Sequence, residues 1–439
     1  MQTLKLFSTI LLTSTILFSS DQIPGKKQSK PIALTNGIIH TITGPTYSKG
    51  TILFENGKIT AIGENILIPA NAEKIDLQGK HVYPGLISAT SLVGLVELEA
   101  IRSTRDNIET GKFNPNVRAE ISVNPDGDLI PTTRANGFLL THTMPEGGIV
   151  SGKSAVLKMD GWTHEDMTLD APTGLVINWP NMRTSQSTFV RATEEEQKKE
   201  RAKDLVALRN LFEDAKAYQL LKKNGVAKTD LKLESMEPFI SGKKPLFVVA
   251  NDQLQIEAAV QFSKEQGVKI VIVGGRDAVY VTDLLKKENV PVILSGIYSL
   301  PARRWEDPDY NWELPKKLYD SGIQFSISVQ NENSQERNTA FYAGFAVAHG
   351  LPADEALRSL TINAAKILGI ENKVGSLEVG KDATLFVSTG DPLEVMSNVT
   401  NAYIDGRIVD LTSKHTILRD KYIRKYEDLG VLKKKLNKF

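Results

Sequence analysis

Four short apolar runs, each followed by a helical stretch, most constrain what this chain can fold into. PLFVVA precedes QLQIEAAVQFSKEQG, KIVIVGG precedes DAVYVTDLLKKEN, VPVILSG precedes a Trp-rich loop and PKKLYDSG, and IQFSISV precedes AFYAGFAVAHG. Runs that are apolar throughout suit strands buried on both faces, and the helices between them supply the crossovers that parallel pairing requires. Successive units of this kind predict an α/β fold, and favour a (β/α)8 TIM-type barrel over an open doubly wound sheet. VYPGLI, GFLLTHTM and TGLVIN are earlier candidate strands.

The two ends of the chain read differently. IALTNGIIHTIT, GTILFENGKITAIG and AEKIDLQGKHVY alternate β-rich runs with turns, and Asn36-Gly37 and Asn56-Gly57 tolerate the positive φ of tight hairpins. GSLEVGKDATLFVS and NAYIDGRIVD form a second such block far away, so the two predict one small composite β-sandwich domain built from both ends. The expected organisation is a signal peptide over 1–20, the composite domain over 31–83 and 370–412, the barrel over 84–369, and a basic helical tail over 413–439.

At 439 residues the chain is long enough for one large core and a smaller one. Fifty-three basic residues against 52 acidic ones leave a formal charge of +1, so no overall field draws the chain to nucleic acid. Lys5, the apolar run Leu6 to Phe18, and then Ser19, Ser20 and DQIPGKKQSK have the layout of a secretory signal, which predicts export to a periplasmic or extracellular location. That run is too short to span a bilayer comfortably, and no transmembrane helix is expected in the mature chain. The absence of cysteine excludes disulfides, thiolate metal ligands and a cysteine nucleophile.

Residues 193 to 224 read as a long charged helix, with capping-box spacing between Thr193 and Glu196 and an apolar face of Leu205, Leu208, Phe212 and Ala215. KYIRKYEDLGVLKKKLNKF is basic, and reads either as a solvated helix face or as a contact for an anionic surface. GGIVSGKS, Gly147 to Ser154, matches a phosphate-loop pattern, but SAVLKMDGW after it is a β-type run and offers no helix N-terminus to an anion.

Three segments carry a family likeness: Ala356 to Glu394, NGIIHTIT with ENGKITAIG, and GFAVAHGLPADEALR. From about Pro31 to Asp410 the chain resembles the amidohydrolase superfamily, and within it the imidazolonepropionase and prolidase-like branch. The resemblance implies the metal-dependent hydrolase fold, and a metal, often zinc, at the C-terminal mouth of the barrel. In that family two histidines after strand one, histidines on strands five and six, often a strand-four carboxylated lysine or glutamate, and an aspartate after strand eight hold it. Such a metal lowers the pKa of bound water towards about 7 and makes a hydroxide nucleophile.

PGLISATSL, Pro84 to Leu92, stands where the family reads PGxxDxHxH, so the strand-one pair becomes Thr90 and Leu92, with Ser88 at the aspartate position. The strand-five histidine aligns with Val249, the strand-six histidine with Gly274 and the strand-eight aspartate with Gln330. Leucine, valine and glycine side chains offer no donor, and hydroxyl and amide oxygens are weak ones. No metal cofactor is therefore expected.

None of the six histidines has HxH or HExxH spacing. His142 ends the second candidate strand and could point into the mouth, whereas His349 reads as helix packing. Asp252, Asp277 and Glu332 follow strands five, six and eight, as a hard-cation site or as loop acids. The loop after strand seven carries Arg303, Arg304, Trp305 and Tyr310, residue types that dominate recognition surfaces. Its aromatics either contact a ligand or partner or plug the barrel top. Two functions follow from the resemblance: a non-catalytic exported protein that binds a small molecule, a related active subunit or its own copy, or a hydrolase of amide, cyclic amide or dipeptide bonds using a displaced metal or metal-free chemistry.

Overall fold

The computed structural model describes residues 22–187, 189–226, 228–329 and 333–432; the signal-like segment, Gln330 and Glu332 lie outside the described residues. Two eight-stranded sheets organise the chain. The first joins β1 (Ile32–His40), β2 (Thr46–Glu55), β3 (Lys58–Gly63), β4 (Glu73–Asp76) and β5 (His81–Pro84) to β14 (Leu385–Ser388), β15 (Val399–Ile404) and β16 (Arg407–Val409). β14 runs antiparallel to β5, with Phe386 opposite Tyr83, so the two ends of the chain share one sheet. Leu34, Ile52, Phe54, Val82, Leu385 and Tyr403 form its core.

The second sheet is the barrel wall. β6 (Leu86–Ser91), β7 (Phe138–Thr143), β8 (Val150–Lys158), β9 (Thr168–Asn178), β10 (Leu246–Ala250), β11 (Ile270–Gly274), β12 (Val292–Ser295) and β13 (Phe325–Ser328) lie side by side in chain order. The ring closes where Ser328 Oγ accepts the Thr90 amide at 3.0 Å and Thr90 Oγ1 donates to the Val329 carbonyl at 3.0 Å. Inside it Ile87, Leu140, Val156, Val176, Phe247, Val271 and Ile293 meet Ala364, Ala365 and Ile367 of the helix Ile362–Leu368. Residues alternating with these, such as Leu246 and Val248, pack outward against the surrounding helices.

One strand departs from the eightfold parallel pattern. β8 is antiparallel to both β7 and β9, while the neighbouring pairs from β9 to β13 are parallel. The reason is connection length: a parallel crossover needs about a dozen residues or more, and the segment between Thr143 and Val150 cannot supply them. β8 runs through the phosphate-loop-like pattern, so Lys153 lies within a strand, half-buried, with no helix N-terminus following it.

The long helix Glu194–Lys223, part of the β9–β10 connection, has the Thr193/Glu196 capping box and buries Leu208, Phe212, Ala215 and Tyr218. At Gly174 the barrel interior leaves no room for a side chain. A Cβ there would press on the ring of Phe247, so only glycine lets that ring fill the space.

Candidate functional site

The strand ends of the barrel open into a cavity of about 90 Å³ whose wall includes Thr90, Leu92, Val249 and Val273, with Asn178, Asn251, Ser295 and Asn333 beside them. Three positions that the sequence aligns with metal ligands, Thr90, Leu92 and Val249, thus meet at this mouth. The strand-six position requires a shift of one residue. Val273 pairs with Val249 in parallel register and shares its inward face, whereas at Gly274 the chain leaves β11 with φ +98°, and a Cβ there would press on Asn251. Sheet register, rather than local resemblance, decides which residue faces the barrel interior.

Among the described residues, those lining this mouth do not fit the family metal. Leu92, Val249 and Val273 carry no lone pair. Thr90 Oγ1 is committed to Ser328 Oγ at 2.7 Å and to Val329. Asn178 Nδ2 donates to Gly148 O at 3.0 Å and Ser151 Oγ at 2.9 Å, which ties the amide to the β8 turn. Among the described residues of the lining, one carboxylate, Glu146, reaches the rim, where it accepts Asn107 Nδ2 at 2.6 Å. Among the described residues no three His, Cys, Asp or Glu side chains are grouped to hold a metal ion.

His142 is brought into the barrel interior but not to the mouth surface. It is fully buried, its Nδ1 2.9 Å from Ala89 O and its Nε2 2.8 Å from Ser154 Oγ, with its ring against Phe247. Burial pulls its pKa down to about 4, so the ring is neutral and both nitrogens are occupied. His349 caps its own helix through Nδ1 to Phe345 O at 2.8 Å and packs on Trp312.

The loop after β12 reaches a second, more open cleft of about 750 Å³ over the ends of β9 to β11. Asp252 caps the helix Gln253–Gln266, accepting Leu254 N at 3.0 Å, and also accepts Arg183 Nε at 2.6 Å. Asp277 is buried and takes both arms of Arg303, Nη1 at 2.9 Å and Nη2 at 2.5 Å, together with Gln253 N at 3.1 Å. Burial pushes the Asp277 pKa up, but the Arg303 fork and the amide outweigh it and hold it below the usual carboxylate range. Hydrogen bonding to Asp277 in turn raises Arg303.

The Arg303 guanidinium lies 5.4 Å from the ring centroid of Trp305, which remains 68% exposed at the rim. Tyr310 is buried with its hydroxyl 3.3 Å from Arg276 O, burial raising its pKa, and Arg304 faces solvent. Tyr310 and Glu306 are packed inside the loop, while Trp305 stands in the open. Asp252, Asp277, Arg303 and Trp305 come together in this cleft, and His142 lies apart from them.

Sequence reasoning missed Glu336. It is fully buried in the short 3-10 turn Asn333–Asn338, where it accepts Ser91 Oγ at 2.6 Å and Thr141 Oγ1 at 3.2 Å. Burial pushes its pKa up to about 7 against the pull of Ser91, Ser88 and Thr141. This carboxyl pins the segment after β13 to the first two barrel strands. The available signal was the hydroxyl pattern of SATS and THT, since buried hydroxyls within strands call for a polar partner.

With this geometry in view, the relatives are informative. The amidohydrolase family model matches residues 265–409. An imidazolonepropionase from Fusobacterium nucleatum is 26% identical over 381 residues, covering 77% of this chain and 85% of that protein. The solved amidohydrolase from Thermotoga maritima is 28% identical with a TM-score of 0.77, covering 86% of this chain and 99% of its own. A Xaa-Pro dipeptidase structure with bound methionine shares the fold at 15% identity and a TM-score of 0.54. The chain belongs to the amidohydrolase superfamily, on the side of its imidazolonepropionases.

Proposed function

We propose that this is an exported amidohydrolase-superfamily protein that keeps the barrel for binding, of a small molecule or of a related active subunit, and does not carry out the family's metal-dependent hydrolysis. One observation carries this reading: the side chains of Leu92, Val249 and Val273 occupy the mouth where the family chemistry requires imidazole. Aliphatic walls around about 90 Å³ suit an apolar group of a few atoms, and the larger neighbouring cleft offers Trp305 and the outer edges of Arg183 and Arg276 to the rest of a ligand. Export is supported by the signal-like run from Leu6 to Phe18.

The deciding experiment is metal analysis of the purified protein supplied with zinc and manganese, together with assays on dipeptides and cyclic amides. The expected result is no stoichiometric metal and no hydrolysis that chelation abolishes. One tightly held metal per chain with chelator-sensitive hydrolysis would overturn the reading in favour of a displaced metal site.

A further inference from the structure

The C-terminal helix Lys414–Asp428 buries none of its side chains. It begins with a complete capping box, Ser413 and Thr416 each accepting the other's backbone amide, and is tethered at its start by Lys414 to Asp128 at 3.2 Å. Helices of this length are marginal in water when nothing covers a face of them. This one presents a stripe at helical spacing, Leu418, Tyr422, Tyr426 and Leu429, exposed by 41%, 48%, 43% and 64%. Lys425 lies over both tyrosine rings, 5.8 Å from each centroid, and Arg419 flanks the other side of the stripe.

Charge identifies what such a face fits. From Lys414 to Phe439 there are nine basic residues against three acidic ones, a surplus of six in a chain whose overall surplus is one. The rest of the protein is therefore net acidic, and the positive charge is gathered on one terminal segment. Tyrosines and leucines bordered by lysine and arginine are the composition of a helix that lies in the headgroup region of a bilayer, aromatic rings at the interface and cationic side chains reaching phosphates. Among the described residues no helix is long and apolar enough to cross a membrane, so the contact is peripheral.

The geometry points to an anionic lipid surface as the occupant of this face: the helix lies on the bilayer through Leu418, Tyr422, Tyr426 and Leu429, and its basic residues select anionic headgroups. A self-paired antiparallel helix fits less well, because crossing at Tyr422 would bring Arg419 against the Lys425 of a second copy.

The test is vesicle flotation of the full chain with phosphatidylcholine alone and with about one-third phosphatidylglycerol, at low and high salt, where screening weakens the contact. The expected result is binding that needs phosphatidylglycerol, falls with salt, and drops roughly tenfold in Tyr422→Asp/Tyr426→Asp at an unchanged melting temperature. Equal binding to neutral vesicles would assign the contact to the apolar N-terminal run instead. Anionic binding that the double variant leaves intact would also overturn the proposal. So would a solution dimer, dissociated by the same variant, in a chain that ignores vesicles.

Discussion

Glu336 shows how much one side chain can hold. Its ordinary pKa of 4.5 rises to about 7 because burial penalises the charged form more than the hydroxyls of Ser91, Ser88 and Thr141 favour it. The unfolded chain ionises first, so the contribution to stability is fully present below about 4.5 and is lost as pH climbs through 7, a swing of about 3 kcal/mol at most. Glu336→Gln keeps an acceptor for Ser91 and removes the titration. Thermal melts from pH 5 to 8 should therefore show the variant gaining on the parent as pH rises; parallel curves would mean that the carboxyl does not titrate there. Arg303 carries the opposite risk. Arg303→Ala leaves Asp277 buried without its fork and should cost about 2 to 4 kcal/mol in urea unfolding, whereas Arg303→Lys recovers only part, because an ammonium cannot make the paired contact. Asp277 was legible as a residue following a strand, but its partner was not, since the pairing spans a loop whose path no spacing rule specifies. Glu336 was invisible for a related reason: NENSQERN reads as a polar surface loop, and only contact with β6 and β7 buries it.

Among elements, the strands β10 to β13 and their helices were readable because each is an apolar run bounded by turn residues. The direction of β8 was not, since apolar periodicity has no polarity and the short turn before Val150 decides it. The same limit applies within β11, where the family-like letters pointed to Gly274 and pairing with β10 makes Val273 the inward residue. Packing between β9 and β10 gives a sharper test of element fit. Gly174→Ala would push a methyl into the Phe247 ring and should cost about 1 to 3 kcal/mol by overpacking. Phe247→Leu alone should also destabilise, by opening space. The double variant should lose much less than the sum of the two, since each change relieves the other. Strict additivity in denaturant melts would show that the two residues do not share this space.

For the whole molecule, the question is whether the barrel mouth has the geometry to hold a metal when histidine and aspartate side chains are supplied there. The shared sheet of β5 and β14 and the packing of the helix Ile362–Leu368 against the barrel strands are built from residues away from the mouth, so changes at Leu92, Val249 and Val273 need not disturb them, whereas Thr90 also joins β6 to the end of β13 through Ser328 and Val329. Such a scaffold should accept added donors. The set Thr90→His, Leu92→His, Val249→His, Val273→His and Gln330→Asp is expected to take up one zinc per chain, and zinc at about a hundred times its dissociation constant would add about 2.7 kcal/mol to stability. Replacing Val273→His by Gly274→His should abolish that gain, because a side chain at Gly274 meets Asn251 and its backbone has φ +98°. Zinc-dependent melting temperatures of the two sets separate the alternatives. A gain for the Gly274 set alone would mean that the strand-six donor leaves the barrel wall one residue later than the sheet register places it, and no gain for either would mean that the mouth lacks the geometry for a metal.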